Sequence, residues 1–193
     1  MQNAFFVGPR LYFRPIERED APRLASFMND AAVRRTLLAH RPLSVAQEQS
    51  FVEGLGKDEH HVVVGIARHE SPELIGATGL HGLDFRSRRA ELGLVIGERS
   101  LWGQGYGTEA TRMMLDYGFG TLNLNRVWLQ VYGHHAAAAR VYEKAGFRRE
   151  GVQREQHFAE GRYVDAVMMG ILRSEWTPLT SFAGERGNRG AER

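Results

Sequence analysis

The chain has 193 residues, a formal net charge of only +2 and no cysteine. That length builds one domain with a substantial core, and the near balance of charge gives no footing to a nucleic-acid binder. Disulfides, thiolate metal sites and a cysteine nucleophile are excluded. No apolar run approaches the roughly 18 residues of a membrane span, and the first residues lack a signal-peptide pattern, so a cytoplasmic protein is expected.

Residues 1–9 read as a loose arm. Leu11 to Pro15 alternates apolar with polar residues and reads as a short strand. Asp20 is placed to cap a helix carrying Ala21, Leu24, Ala25, Phe27 and Met28. Ser44 with Gln47 forms the pattern of a capping box, opening a second helix to about Leu55. His61–Ala67 and Leu74–Leu83 read as strands joined by a turn at HESPE, and Asp84–Arg89 is a polar turn into a strand at Ala90–Ile96. A glycine loop follows, then a helix from Thr108 whose Ala110, Met113, Met114 and Tyr117 form a core stripe. Asn125–Val131 reads as a strand, and Ala136–Lys144 as a helix stopped by Gly146. Phe147–Phe158 and Arg162–Leu172 pair as a hairpin about Glu160-Gly161. Residues 1–176 thus form a single domain, and 177–193, rich in Gly, Arg, Glu and Ser, have the composition of a disordered tail. The order of elements predicts an α/β fold around a mixed, twisted sheet.

The glycine loop carries the first chemical signal. Gly103, Gly105 and Gly107 alternate between an apolar strand and a helix start. Glycine lets backbone N–H groups approach an anion, and a helix N-terminus adds favourable partial charge, so the segment reads as a phosphate cradle. A tight turn needing glycine only for its shape is the other reading. A P-loop is excluded because no Lys follows the glycines. A dinucleotide fingerprint fits poorly: its third glycine comes early, and no acid lies between Asp116 and Glu143 to hold a ribose.

Three segments taken together resemble the GNAT N-acetyltransferase superfamily: LWGQGYGTEA, LNLNRVWLQV and ARVYEKAGFRREG. More narrowly, YEKAGF (Tyr142 to Phe147) and GRYVDAVMMGILRSEW (Gly161 to Trp176) are similar to the RimJ/RimL-like branch, which holds ribosomal-protein N-terminal acetyltransferases and has polyamine acetyltransferases as near relatives. The superfamily loop, (Gln/Arg)-x-x-Gly-x-(Gly/Ala), runs here from Trp102 to Gly107, with Trp at the first position. The resemblance is strong from about Ala90 to Trp176 and weaker from Leu11 to Asp84. It implies a sheet of about seven strands flanked by about four helices, α/β (α+β) in class. The Ala90–Ile96 and Asn125–Val131 strands are expected to be splayed, with the pantetheine arm of acetyl-CoA lying between them.

The implied reaction is acetyl transfer from acetyl-CoA, the co-substrate, to a primary amine of a peptide N-terminus or a small molecule. With no cysteine, direct attack in a ternary complex is the simplest scheme. A CoA-binding sensor or interaction module without chemistry is the alternative on the same fold. Resemblance places the cofactor against Leu94, Val95 and Ile96, the loop Trp102, Gly103, Gln104, Gly105, Tyr106, Gly107 and Thr108, and the helix residues His135, Ala138 and Tyr142. Trp102 has a second reading as a core residue. Tyr142 falls at the family's YEKxGF tyrosine and is the expected general acid; a packed core tyrosine is the competing reading. Glu91, in an AELG run, is the expected base, against a solvated strand-end carboxylate, with Glu150, Glu155 and Asp165 as rivals near the acceptor side. Relatives carry Asn where this chain has His135, and imidazole is larger and titratable. Arg140 and Lys144 face either the CoA 3′-phosphate or solvent. The His60-His61 and His134-His135 pairs do not have metal-ligand spacing, and no metal is expected. A polyamine acceptor predicts an acidic pocket, to which Asp58-Glu59 and Asp84 are the available contributors. A monomer or a homodimer fits the sequence, and neither nucleic acid nor membrane is an expected partner.

Overall fold

A computed structural model describes residues 1–37 and 41–179. Its eight strands form one sheet in the order β1-β2-β3-β4-β5-β6-β8-β7. The strands are β1 (Phe6–Val7), β2 (Leu11–Arg14), β3 (Val62–Arg68), β4 (Ser71–Asp84), β5 (Arg89–Ile96), β6 (Arg126–Tyr132), β7 (Arg148–Ala159) and β8 (Arg162–Leu172). The α-helices are α1 (Ala21–Asn29), α2 (Ala31–Arg34), α3 (Val45–Gly54), α4 (Tyr106–Asp116) and α5 (Ala136–Ala145). All neighbouring strands are antiparallel except β5 and β6. Among the described residues no helix is long and apolar enough to cross a membrane.

Alternation along the strands assigns the two faces. Leu92, Leu94 and Ile96 of β5 and Val127, Leu129 and Val131 of β6 join the larger core, beneath α4 and α5. The expected stripe on α4 is there: Ala110, Met113 and Met114 are fully buried and Tyr117 nearly so. The opposite face of the sheet packs Ala67 and Leu74 against Leu24 and Phe27 of α1 and Val52 of α3. On this face, at the other end, lie His81, Glu91, Gly93 and Gln130, alternating with the buried set on their strands.

β5 and β6 share only three register pairs, Arg89↔Arg126, Ala90↔Val127 and Glu91↔Trp128. Beyond Glu91 they diverge, so the expected splay is present. At the far end of β5 a Cβ on Gly76 would collide with the Val95 carbonyl oxygen, and one on Gly97 with the Phe27 ring. The absence of side chains at Gly76 and Gly97 thus lets β4, β5 and α1 pack closely at this end of the sheet.

Several local expectations are corrected. The N-terminal arm contains a strand, since β1 pairs Phe6 with Phe13 and Val7 with Tyr12. That adds the eighth strand. Asp20 does not cap α1: it is itself helical, and its carboxylate is taken by Arg14 at 2.7 Å and by the Glu17 amide at 2.9 Å. Burial of the Arg14 guanidinium demands that partner, which outcompetes capping. Ser71 to Glu73 belong to β4, so the turn contracts to His69-Glu70. Helix α4 begins two residues early, at Tyr106, because Gly105 takes a left-handed φ of 85° and serves as N-cap. The capping box of Ser44 and Gln47 forms as read, and Gly146 ends α5 with φ of 104°. The short α2 was not anticipated; Asp30 caps it through the amides of Ala32 and Val33. Of the expected tail, residues 180–193 lie outside the described residues.

Candidate active site

The gap between β5 and β6 opens into a cleft of about 360 Å³. Leu94, Val95 and Ile96 form one wall. Trp102, Gly103, Gly105, Tyr106, Gly107 and Thr108 form the rim, and His135, Ala138, Val141 and Tyr142 of the α5 segment form the opposite wall. Thr36, Leu101 and Ala137 complete the lining, and Arg140 and Lys144 stand at its margin. Every expected cofactor-side residue but one is thus gathered there. The exception is Gln104, whose amide donates to Ser100 O at 2.9 Å.

The loop geometry follows from its glycines. Gly103 and Gly105 both have positive φ, 78° and 85°, a conformation that costs other residues energy. Glu109 N–H is the first to bond back into the helix, to Gly105 O at 3.0 Å. The amides of Tyr106, Gly107 and Thr108 precede it and have no partner within the helix. They form a positive terminus beside the cleft. Trp102 is not a core residue: it is 40% exposed, and its indole N–H bonds Ile96 O at 2.7 Å, tying the loop to β5.

A clamp that motif reading missed holds this loop. The Glu109 carboxylate accepts the backbone amides of Arg10 and Leu11, at 2.7 and 3.0 Å, and the Arg10 side chain at 2.7 Å. Arg10 also donates to Gln104 O at 3.1 Å and lies 4.5 Å over the Tyr106 ring. The available signal was Glu109 one turn before Met113, an acid flanking an apolar stripe.

His135 caps α5. Its Nδ1 accepts from Ala138 N–H at 3.4 Å. Burial, and then His134, hold its pKa below the ordinary value and so keep it neutral, as an acceptor must be. Tyr142 packs edge-on against Phe147 with centroids 5.8 Å apart, and burial pushes its pKa up to about 12.

Glu91 does not line the cleft. It sits where the strands part, on the face opposite Tyr142, with a pKa raised by burial and partly restored by a hydrogen bond with Gln130. Gln130 in turn meets His157 Nε2 at 3.1 Å. Opposite Glu91 in the β4 register is His81, which lies on bare backbone: a Cβ at Gly93 would come within 2.9 Å of its Nε2. His81 Nδ1 is 3.3 Å from His61 Nδ1, and burial lowers the His81 pKa. Residue by residue reading did not single out His81, Gln130 or His157, because only the sheet order brings them together.

A mixed sheet parted between two parallel strands, with a glycine loop and a helix N-terminus at the opening, defines an acyltransferase of the coenzyme-A-dependent class. The family model described as "Acetyltransferase (GNAT) domain" matches residues 10–148, and the chain belongs to that family. It is a GNAT-family N-acetyltransferase. It is 31% identical to the N-acetyltransferase p20 of Bacillus licheniformis, over 86% of this chain and 95% of that protein. It is 29% identical to the putative ribosomal N-acetyltransferase YdaF of Bacillus subtilis, over 88% and 95% of the two chains. The crystal structure of spermidine N-acetyltransferase from Vibrio cholerae in complex with CoA and spermine superposes with a TM-score of 0.79 at 27% identity, covering 86% of this chain and 96% of that one.

Proposed function

We propose that this enzyme moves the acetyl group of acetyl-CoA to a primary amine by direct attack in a ternary complex. The observation that carries this reading is the unpaired edge of β5 beyond Glu91, continuous with the open amides of Tyr106 to Thr108. An extended pantetheine arm matches an edge that lacks its partner strand, and a diphosphate matches the helix terminus. The apolar cleft walls suit the arm, and Arg140 and Lys144 at the margin suit a terminal phosphate. The Vibrio cholerae structure, which holds CoA in the same fold, supports the choice of ligand.

The two faces then divide the chemistry. An alkylammonium with a pKa near 10 must lose a proton before it attacks. Glu91, on the face away from α5, is the base; its raised pKa makes it a stronger proton acceptor than an ordinary carboxylate. As the amine nitrogen bonds to the acetyl carbon, the carbonyl oxygen gathers charge, and a free β5 amide near Val95 or Ile96 is the donor for it. The carbon–sulfur bond breaks, and Tyr142, protonated at every physiological pH, delivers a proton to the leaving sulfur. The nitrogen gives up two protons, one to Glu91 before attack and one as the tetrahedral adduct collapses to the amide. The thiol takes one through Tyr142, which is then reprotonated, one proton is released to water, and no acyl-enzyme forms.

The test is thiol release from acetyl-CoA with a panel of amines, using wild type, Glu91→Gln and Tyr142→Phe. Each substitution should lower kcat by about 100-fold, the size of a general acid–base contribution, with the Kd for CoA unchanged. The acid limb of wild-type kcat/KM should lie above the ordinary carboxylate range and vanish in Glu91→Gln. Saturable CoA binding without thiol release from any amine would favour the sensor alternative.

A further inference from the structure

Beside the cofactor cleft lies a second cavity of about 610 Å³, framed by the α2 segment, the end of β6 and the tip of the β7–β8 hairpin. The two cavities adjoin. Thr36 lines the first and Leu37 the second, and adjacent His135 and His134 divide in the same way. Tyr132 lines the second cavity, its hydroxyl donating to Leu37 O at 3.1 Å while its ring stacks on His134 at 5.5 Å. His157 meets the Tyr132 ring edge-on, and through Gln130 it continues to Glu91. An unbroken line of contacts therefore joins the proposed base to this cavity.

The charge of the cavity is distinctive. Arg34 and Arg35 line it against a single acid, Glu160, which is already paired with Arg35 at 3.0 Å. Arg34 has no ion pair among the described residues. The acids that would suit a polyamine are elsewhere and engaged: Asp84 holds Arg89, and Asp58 faces His61 and caps the His60 amide. None of them lines either cavity. Multiple ammonium groups entering here would meet a free guanidinium, whereas a carboxylate would find a fork of matching geometry.

Resting on the acetyltransferase reading, we propose that this cavity is the acceptor subsite and that it selects a primary amine whose molecule carries a side-chain carboxylate, in contrast to the spermidine enzyme of the same fold. Arg34 is the specificity residue. It engages the carboxylate while the amine points along Tyr132 toward the gap between β5 and β6.

The test compares glutamate, the dipeptides Ala-Glu and Ala-Lys, and spermidine as acceptors at saturating acetyl-CoA. Glutamate and Ala-Glu distinguish a free amino acid from an acidic peptide. At least one carboxylate-side-chain acceptor should exceed both Ala-Lys and spermidine in kcat/KM by about tenfold or more. Arg34→Glu should remove that preference, through KM and not kcat, with the Kd for CoA unchanged; Arg34→Gln should fall between. Arg34 is exposed, so both variants should fold as wild type does. Spermidine or Ala-Lys as the best acceptor overturns the proposal, as does an unaltered preference in Arg34→Glu, or CoA binding with no carboxylate amine acetylated. Failure to bind CoA at all instead overturns the underlying reading.

Discussion

Replacing Glu109 by Gln tests whether the clamp on the glycine loop is energetic or merely present. Glutamine keeps the volume but not the charge. Its carbonyl can still accept the Arg10 and Leu11 amides, while its NH2 is turned toward the Arg10 Nε–H, donor against donor. Charge-assisted bonds exceed neutral ones by about 1 kcal/mol each, so the two backbone contacts together lose about 2 kcal/mol. Arg10 is half exposed and can turn to water, so its leg adds at most about 1 kcal/mol. A loss of 2–3 kcal/mol, at about 2–4 °C per kcal/mol for a chain of this size, lowers Tm by about 4–12 °C. Thermal unfolding followed by circular dichroism measures this directly, and titration calorimetry with CoA should show weakened binding, because Arg10 also holds Gln104 O. A Tm shift below about 2 °C would refute the reasoning. Arg10→Ala should cost less stability and more CoA affinity, since it removes the loop contact while leaving both backbone amides satisfied.

His135→Ala should lose the α5 cap, about 1 kcal/mol, while His135→Asn should keep it. The folded His135 pKa is depressed, so its contribution is present above the unfolded value near 6.5 and is lost as pH falls through the folded one. Stability should therefore drop in mild acid for wild type and by less for His135→Asn, as chemical denaturation at several pH values measures. Tyr142 holds its proton to about 12 in the fold and releases it near 10 when unfolded, so stability should fall as pH rises through that interval, and by less in Tyr142→Phe. Gly76→Ala should lose at least about 2 kcal/mol in chemical denaturation, as the Val95 carbonyl has to be displaced by a methyl group.

Features governed by a few neighbouring residues were legible in the sequence. The Ser44 capping box, the Gly146 stop, the hairpin at Glu160-Gly161 and the α4 stripe each depend on contacts within one or two turns. The cleft was legible too, because its rim is a single glycine-rich segment and its far wall a single helix. What escaped depends on the sheet order. β1 has only two paired residues and little local signal. Arg10 and Glu109 are 99 positions apart. Asp20 looked like a cap because its competing partner, Arg14, is buried only in the fold, where its guanidinium also reaches Pro72 O of β4. Glu91 and Tyr142 each invited a role, but that they approach from opposite faces follows only once β5 is seen to part from β6. The second cavity was least legible of all: its arginines, its tyrosine and its hairpin wall come from three distant segments.

The short seam at Arg89–Glu91 gives the molecule a mechanical character. One leaf of the sheet runs from β1 to β5, the other holds β6 to β8, and three residue pairs stitch them at one corner. An elongated ligand laid along the open margin supplies the missing rung contacts, so it works as a temporary strand. Amide hydrogen exchange along Leu92–Ile96 should slow when such a ligand is added and recover when it departs. Rigidity of this fold is then partly borrowed from its substrate, and each turnover returns the loan.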